Sequence, residues 1–272
     1  MPAPFATKYI DAAGVVLHCL HSGPTTLPGE VPPLDRGALF VLLHGAGRNA
    51  GDWKRQLLGL GDRHSVVALD LPGHGRAPGV EGLSTIEAYA DFVDRVLPAV
   101  ARRRCVLVGW SMGASIAMVC AARHPERFAG VVLLGGHPYF RPEAGALDRH
   151  RDVVRGRLGQ QFDTLLFSPA TAMDVMREAW MEQVKTDPRV LYGDLLTAPA
   201  FDGRPLLPSL AVPTLVIHGA DDKAVPVDVA RHLAAAIPGA RLEIVPDAGH
   251  IAQLEQPERV NALLTAFAES LA

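Results

Sequence analysis

Six short apolar runs recur along the chain, at residues 40–43, 66–69, 106–108, 131–134, 214–217 and 242–245. Each is brief and rich in Val, Leu, Ile or Phe, the pattern of buried strands. Between them lie amphipathic stretches with apolar residues at helical spacing, around 53–60, 85–100, 112–123, 227–237 and 257–271. Strands alternating with helices predict an α/β fold with a mostly parallel sheet buried on both faces. Residues 14–20 read as an antiparallel edge strand ahead of that sheet, and no fixed-period repeat is present.

The alternation breaks once, between residues 138 and 208, where helix-like pieces occur without a convincing strand. A loop of that length is implausible in a compact domain. The expected organisation is therefore a core domain of residues 1–137 and 209–272 with a helical cap at 138–208. Open α/β sheets bind ligands outside the carboxyl ends of their strands, so the cap would roof that crevice. Its apolar side chains, among them Tyr139, Phe140, Phe162, Phe167, Met173, Met176 and Trp180, serve either packing or pocket lining and suggest an apolar acyl or alcohol group.

Composition narrows the class. Of 272 residues, 49% are hydrophobic and 20% charged, which fits a soluble globular protein rather than a disordered one. With 26 Lys and Arg against 29 Asp and Glu, the net charge of -3 gives no global reason to bind nucleic acid or an anionic membrane. The longest uncharged run lies between Arg104 and Arg123, but Gly109, Ser111, Gly113 and Ser115 interrupt it. It reads as strand, turn and helix, not as a membrane span. Cys19, Cys105 and Cys120 form no CxxC pair and read as reduced core thiols. The first ten residues carry no secretory signal pattern, so the cytoplasm is the expected location.

The turn inside the uncharged run is Gly109-Trp110-Ser111-Met112-Gly113, a G-x-S-x-G between a strand and a helix. A serine on so tight a turn is pushed above the sheet, and side chains two positions either side would collide. A serine hydroxyl needs a base within reach and a carboxylate to orient that base. Gly219-Ala220-Asp221-Asp222 follows one later strand, and Pro246-Asp247-Ala248-Gly249-His250 follows the next, in the order nucleophile, acid, histidine.

With His44-Gly45-Ala46-Gly47, Asp70-Leu71-Pro72-Gly73-His74-Gly75 and Val225-Pro226 added, five motifs stand in order. On these residues the chain resembles the α/β-hydrolase fold family, in its branch of small capped serine hydrolases, over nearly its whole length. The resemblance implies an eight-stranded sheet, with Ser111 as nucleophile, His250 as base and Asp222 as acid. Asp221 is the alternative acid. It also implies an oxyanion hole from the backbone N–H groups of Ala46 and Met112, with Trp110, His137 and Ile251 beside the substrate pocket. His44, Asp70 and His74 are read as loop-holding residues, since the triad already fills the catalytic roles.

The implied chemistry is ester hydrolysis through an acyl-enzyme on small or medium acyl chains, with a small-molecule ester as substrate and no cofactor. No HExxH, phosphate loop or Cys/His cluster points to a metal, and His18 and His21 read as strand residues. Serine at the elbow disfavours relatives that use aspartate there. Carbon–carbon bond hydrolases of the family usually carry Asn before the nucleophile and Trp after the histidine, where this chain has Trp110 and Ile251. Perhydrolases share the Ser-Met-Gly elbow, and a slow-turnover signal sensor on the same fold is the reading from a different class.

The Gly-Trp-Ser elbow also resembles esterases that cleave a pimeloyl methyl ester from acyl carrier protein. An acidic carrier could dock on Arg149, Arg151, Arg155 and Arg157. The plainer reading puts Leu147, Val154 and Leu158 on one helical face and leaves Arg151 and Arg155 as a solvated face paired with Asp148 and Asp152.

Overall fold

The computed structural model describes residues 5–79, 81–139, 142 and 144–271. Eight strands form one sheet: β1 (Ala6–Ala12), β2 (Val15–His21), β3 (Leu39–Leu43), β4 (Ser65–Leu69), β5 (Cys105–Trp110), β6 (Phe128–Leu134), β7 (Thr214–Gly219) and β8 (Arg241–Val245). Their spatial order is β1-β2-β4-β3-β5-β6-β7-β8. From β4 to β8 every neighbouring pair is parallel, and β2 runs antiparallel to both β1 and β4.

The edge strand is β1, and the strand expected at the edge, β2, lies one place in. Its turn explains the arrangement: Ala13 and Gly14 both have positive φ, 55° and 78°, the geometry of a tight two-residue hairpin. In β1 only Ile10 and Ala12 turn inward as buried residues. That leaves a weak apolar signal.

Both faces of the central strands are buried, and alternate residues serve alternate faces. In β3, Leu39, Val41 and Leu43 join one core cluster while Phe40 and Leu42 join the other. The first face is covered by α2 (Ile86–Val100), α3 (Met112–Arg123) and α7 (Val227–Ala236), through Tyr89, Ile116 and Leu233. The second is covered by α1 (Lys54–Leu60) and by α9 (Pro257–Glu269), which follows the short α8 (Ala252–Glu255), through Leu57, Leu264 and Phe267. Cys19, Cys105 and Cys120 are free and buried. Among the described residues no helix is long and apolar enough to cross a membrane.

Between β6 and β7 the chain forms α4 (Ala146–Val154), α5 (Met173–Gln183) and α6 (Pro188–Thr197), joined by 3₁₀ turns. Among the described residues of this insertion the one strand-like pairing is an isolated bridge from Tyr139 to Asp202. Arg151 pairs with Asp148 at 2.8 Å and Arg157 with Asp152 at 3.3 Å, both in solvent-accessible positions. Leu158 departs from the expected buried face: α4 ends at Val154, and Leu158 is 44% exposed. Phe167 is buried in the core, Met173 is 65% exposed, and Phe140 lies outside the described residues.

Candidate active site

Ser111 stands between β5 and α3 with φ 53° and ψ −116°, a strained conformation for a residue with a side chain. The two flanking glycines are dictated by space. A Cβ on Gly109 would lie 2.1 Å from the Gly113 carbonyl oxygen, and one on Gly113 would lie 2.4 Å from that of Leu43. The sharp turn holds the Ser111 side chain half-buried at the end of β5, while its N–H donates to Leu134 O at 2.9 Å.

Turns after β7 and β8 bring the partners. His250 Nε2 lies 3.0 Å from Ser111 Oγ, and His250 Nδ1 lies 2.8 Å from Asp222 Oδ2. Because Nδ1 faces a carboxylate, it donates, which leaves Nε2 to accept the serine proton. The other Asp222 oxygen, Oδ1, accepts from the Ala224 and Val225 amides at 2.9 and 2.8 Å, so the carboxylate cannot rotate away. Burial opposes ionisation of Asp222, but the nearby His250, its hydrogen bond and the Val225 amide outweigh it and hold the carboxyl below 3.8. Asp221 is turned elsewhere and accepts from Ser168 Oγ at 2.6 Å.

The turn bearing Ala46 lies against the serine: a Cβ on Gly45 would sit 3.2 Å from Ser111 Cβ. Gly45 O accepts from Arg48 N at 3.2 Å and is 2.8 Å from His44 Nδ1. His44 Nε2 accepts from Leu71 N at 3.1 Å, so Nδ1 carries the proton and donates to Gly45 O. That carbonyl belongs to the same peptide plane as the Ala46 N–H, so His44 fixes the plane on which the N–H is mounted. Met112 opens α3, where first-turn amides lack a partner within the helix and the helix dipole favours negative charge.

Trp110 and Ile251 are both buried in the second core cluster. Trp110 Nε1 donates to His250 O at 2.8 Å, so the tryptophan anchors the backbone of the histidine. His137 is buried after the end of β6, where burial first, and His250 second, push its pKa down to about 3.

Two residues that sequence reasoning passed over act on these loops. Asp194 on α6 is fully buried and accepts from Gly47 N at 2.8 Å, lies 2.8 Å from His74 Nε2 and accepts from Tyr89 Oη at 2.7 Å. A carboxylate from the insertion thus holds the turn next to Ala46. Glu255, at the end of α8, accepts from the Gly249 and Ile251 amides on either side of His250, at 3.0 and 3.1 Å. An H-x-x-x-x-E spacing was visible, but nothing in it signals a side chain folding back onto its own turn. For Asp194 no local pattern exists.

His44 shares with His137 a pKa near 3, lowered chiefly by burial and then by His74. Both pKa values are depressed from 6.5, so their stability is fully present above that value and lost as pH falls toward 3. At pH 5 each of these imidazoles is almost fully protonated in the unfolded chain and neutral in the folded one, and that difference accumulated from pH 7.5 costs about 2 kcal/mol per histidine, roughly 4 kcal/mol for the pair. The melting temperature is therefore expected to fall by roughly 10 °C between pH 7.5 and pH 5. A flat profile over that window in differential scanning calorimetry would contradict the neutral burial of both rings.

An eight-stranded sheet covered on both faces, with serine, histidine and aspartate gathered beyond its carboxyl ends, is the architecture of an α/β-type hydrolase. The chain belongs to the alpha/beta hydrolase family, whose sequence profile matches residues 40–263. It is similar to a pimeloyl-[acyl-carrier protein] methyl ester esterase of Edwardsiella ictaluri, 30% identical over 244 residues, 85% of this chain and 93% of that one. A 2-hydroxy-6-oxononadienedioate/2-hydroxy-6-oxononatrienedioate hydrolase of a Pseudomonas species is 27% identical over 280 residues, 96% of each chain. Among solved structures, a thermophilic esterase from Thermogutta terrifontis superposes with a TM-score of 0.81 at 26% identity, covering 98% of this chain and 99% of that one.

Proposed function

We propose that this protein is a serine esterase that cleaves carboxylic esters of small or medium acyl chains. The observation that carries the reading is the continuous hydrogen-bonded line from Ser111 Oγ through His250 to Asp222, with a half-buried serine at one end and a buried carboxylate at the other. In the first step Ser111 Oγ attacks the ester carbonyl while His250 Nε2 takes its proton, and the negative oxygen is held by the Ala46 and Met112 N–H groups. His250 returns the proton to the leaving alcohol as the C–O bond breaks. Water then adds to the acyl-enzyme, its proton passing to His250 and back to Ser111, and the acid leaves. Asp222 holds the imidazole in the tautomer this cycle needs.

Residues 138–208 act as a cap that selects the acyl and alcohol groups. Two buried or half-buried attachments support this, Asp194 to the Gly47 amide and the Glu182 main chain to Asn49 Nδ2 at 2.8 Å. The test is steady-state hydrolysis of p-nitrophenyl esters from acetate to laurate. Multiple turnovers with an optimum below about ten carbons are expected; a single stoichiometric burst would favour the sensor reading instead.

A second reading, cleavage of a carrier-protein-linked ester, draws on the name of the 30% identical relative. The Arg151 and Arg157 ion pairs weaken it, because they neutralise much of the basic face on and after α4. Unchanged cleavage of a carrier-linked methyl ester after Arg151→Glu with Arg155→Glu would remove docking on that face.

A further inference from the structure

Three successive amides around the histidine end on acceptors supplied from two places. Gly249 N donates to both Glu255 oxygens at 3.0 Å, Ile251 N donates to Glu255 Oε1 at 3.1 Å, and His250 N donates to Leu166 O at 2.7 Å. Leu166 belongs to the insertion. The same Glu255 carboxylate also accepts from the insertion, through Ser168 N at 2.8 Å and Thr171 Oγ1 at 2.6 Å. Ser168 Oγ then donates to Asp221, the neighbour of Asp222 in the acid turn.

Steric contact makes the joint tight. A Cβ on Gly249 would fall 2.6 Å from Leu166 O and 2.7 Å from the Phe167 carbonyl carbon, so the insertion backbone lies directly on the histidine loop. A carboxylate that accepts from four separate donors has little freedom to rotate, and charge-assisted hydrogen bonds are the short, stiff ones. What Glu255 fixes is the backbone from which the imidazole hangs.

We propose that Glu255 is a positioning residue for His250, joining the inserted segment 166–171 to the histidine loop so that the two move as one body. This rests on His250 being the base, as proposed above. Its consequence is that the insertion does more than cover the site: displacing segment 166–171 misaligns His250 between Ser111 and Asp222. A ring displaced by about an ångström loses proton transfer while substrate binding persists, so the loss falls on kcat.

The test compares Glu255→Ala, Glu255→Gln and the double variant Ser168→Ala with Thr171→Val, using p-nitrophenyl acetate kinetics and the low-field proton resonance of the His250 Nδ1–H. Glu255→Ala is expected to lower kcat on the order of 10- to 100-fold with KM within about threefold, and to shift or broaden that resonance. Glu255→Gln keeps an acceptor and should recover part of kcat, while the double variant, which removes only hydroxyls of the insertion, should lose about three- to tenfold. A folded Glu255→Ala protein with kcat within twofold of the parent and an unchanged resonance would overturn the proposal. If Glu255→Ala does not fold, Glu255→Asp, which draws the carboxylate back from all four donors, decides by the same two readouts. The resonance needs no substrate, so absent ester turnover in the parent enzyme defeats the esterase reading without touching this one.

Discussion

Replacing Ser111 with alanine is expected to lower kcat for a p-nitrophenyl ester by on the order of 10⁴- to 10⁶-fold, because removal of a nucleophile leaves only binding and the oxyanion donors. The fold should not notice. The side chain is half-buried, its Oγ meets His250 Nε2 and little else of consequence, and alanine bears the same backbone strain at φ 53°. Stability is accordingly expected to change by no more than about 0.5 kcal/mol. The measurement is steady-state kinetics beside thermal melting of the same preparations. Retention of more than about one per cent of the parent rate, in a protein free of parent enzyme, would place the nucleophile elsewhere.

That expectation is legible in the sequence alone, because the elbow is written in residues whose reasons are local. Gly109 and Gly113 are glycines since backbone occupies the space their side chains would fill, and a motif of five residues records it. The same holds for the central strands, where two buried faces leave a run of apolar residues. The signal fades where burial is partial. In β1, Thr7, Tyr9 and Asp11 face outward and Ala6 and Lys8 are only half-buried, so two inward residues were all the sequence could display. Leu158 failed for a related reason: periodicity carried the helix past Val154, while the chain had already left it.

Long-range polar contacts were illegible altogether. Asp194 meets Gly47 across 147 residues, and Ser168 meets Glu255 across 87. An aspartate or glutamate in a helix of mixed composition reads as a surface residue by default. Only the packing of the insertion on the core turns these carboxylates into acceptors for the loops that carry Ala46 and His250. The candidate triad could be read from the chain, whereas the groups that hold it still are a property of the assembled fold.

Between the adjacent carboxylates Asp221 and Asp222, substitution is expected to separate two roles that one residue's shift in register would exchange. Asp222→Asn should lower kcat by on the order of 10⁴-fold at neutral pH, since an amide can present its N–H₂ to His250 Nδ1 and stabilise the wrong tautomer, with the proton on Nε2. It also leaves no charge to balance the imidazolium formed when Ser111 is deprotonated. Asp221→Asn removes only a charge facing Ser168 Oγ, and the asparagine oxygen can still accept from that hydroxyl, so kcat is expected to fall less than about tenfold. Both variants are read in the same ester assay, with KM expected to stay within about threefold because neither group is proposed to bind the substrate. Equal losses would mean the acid turn fails as a unit, and a larger loss at Asp221 would assign the acid to the other carboxylate. The geometry favours the larger loss at Asp222 for a physical reason: Asp222 has both oxygens engaged, one by two backbone amides and the other by His250, so its position does not depend on the insertion, whereas the partner of Asp221 is an insertion residue.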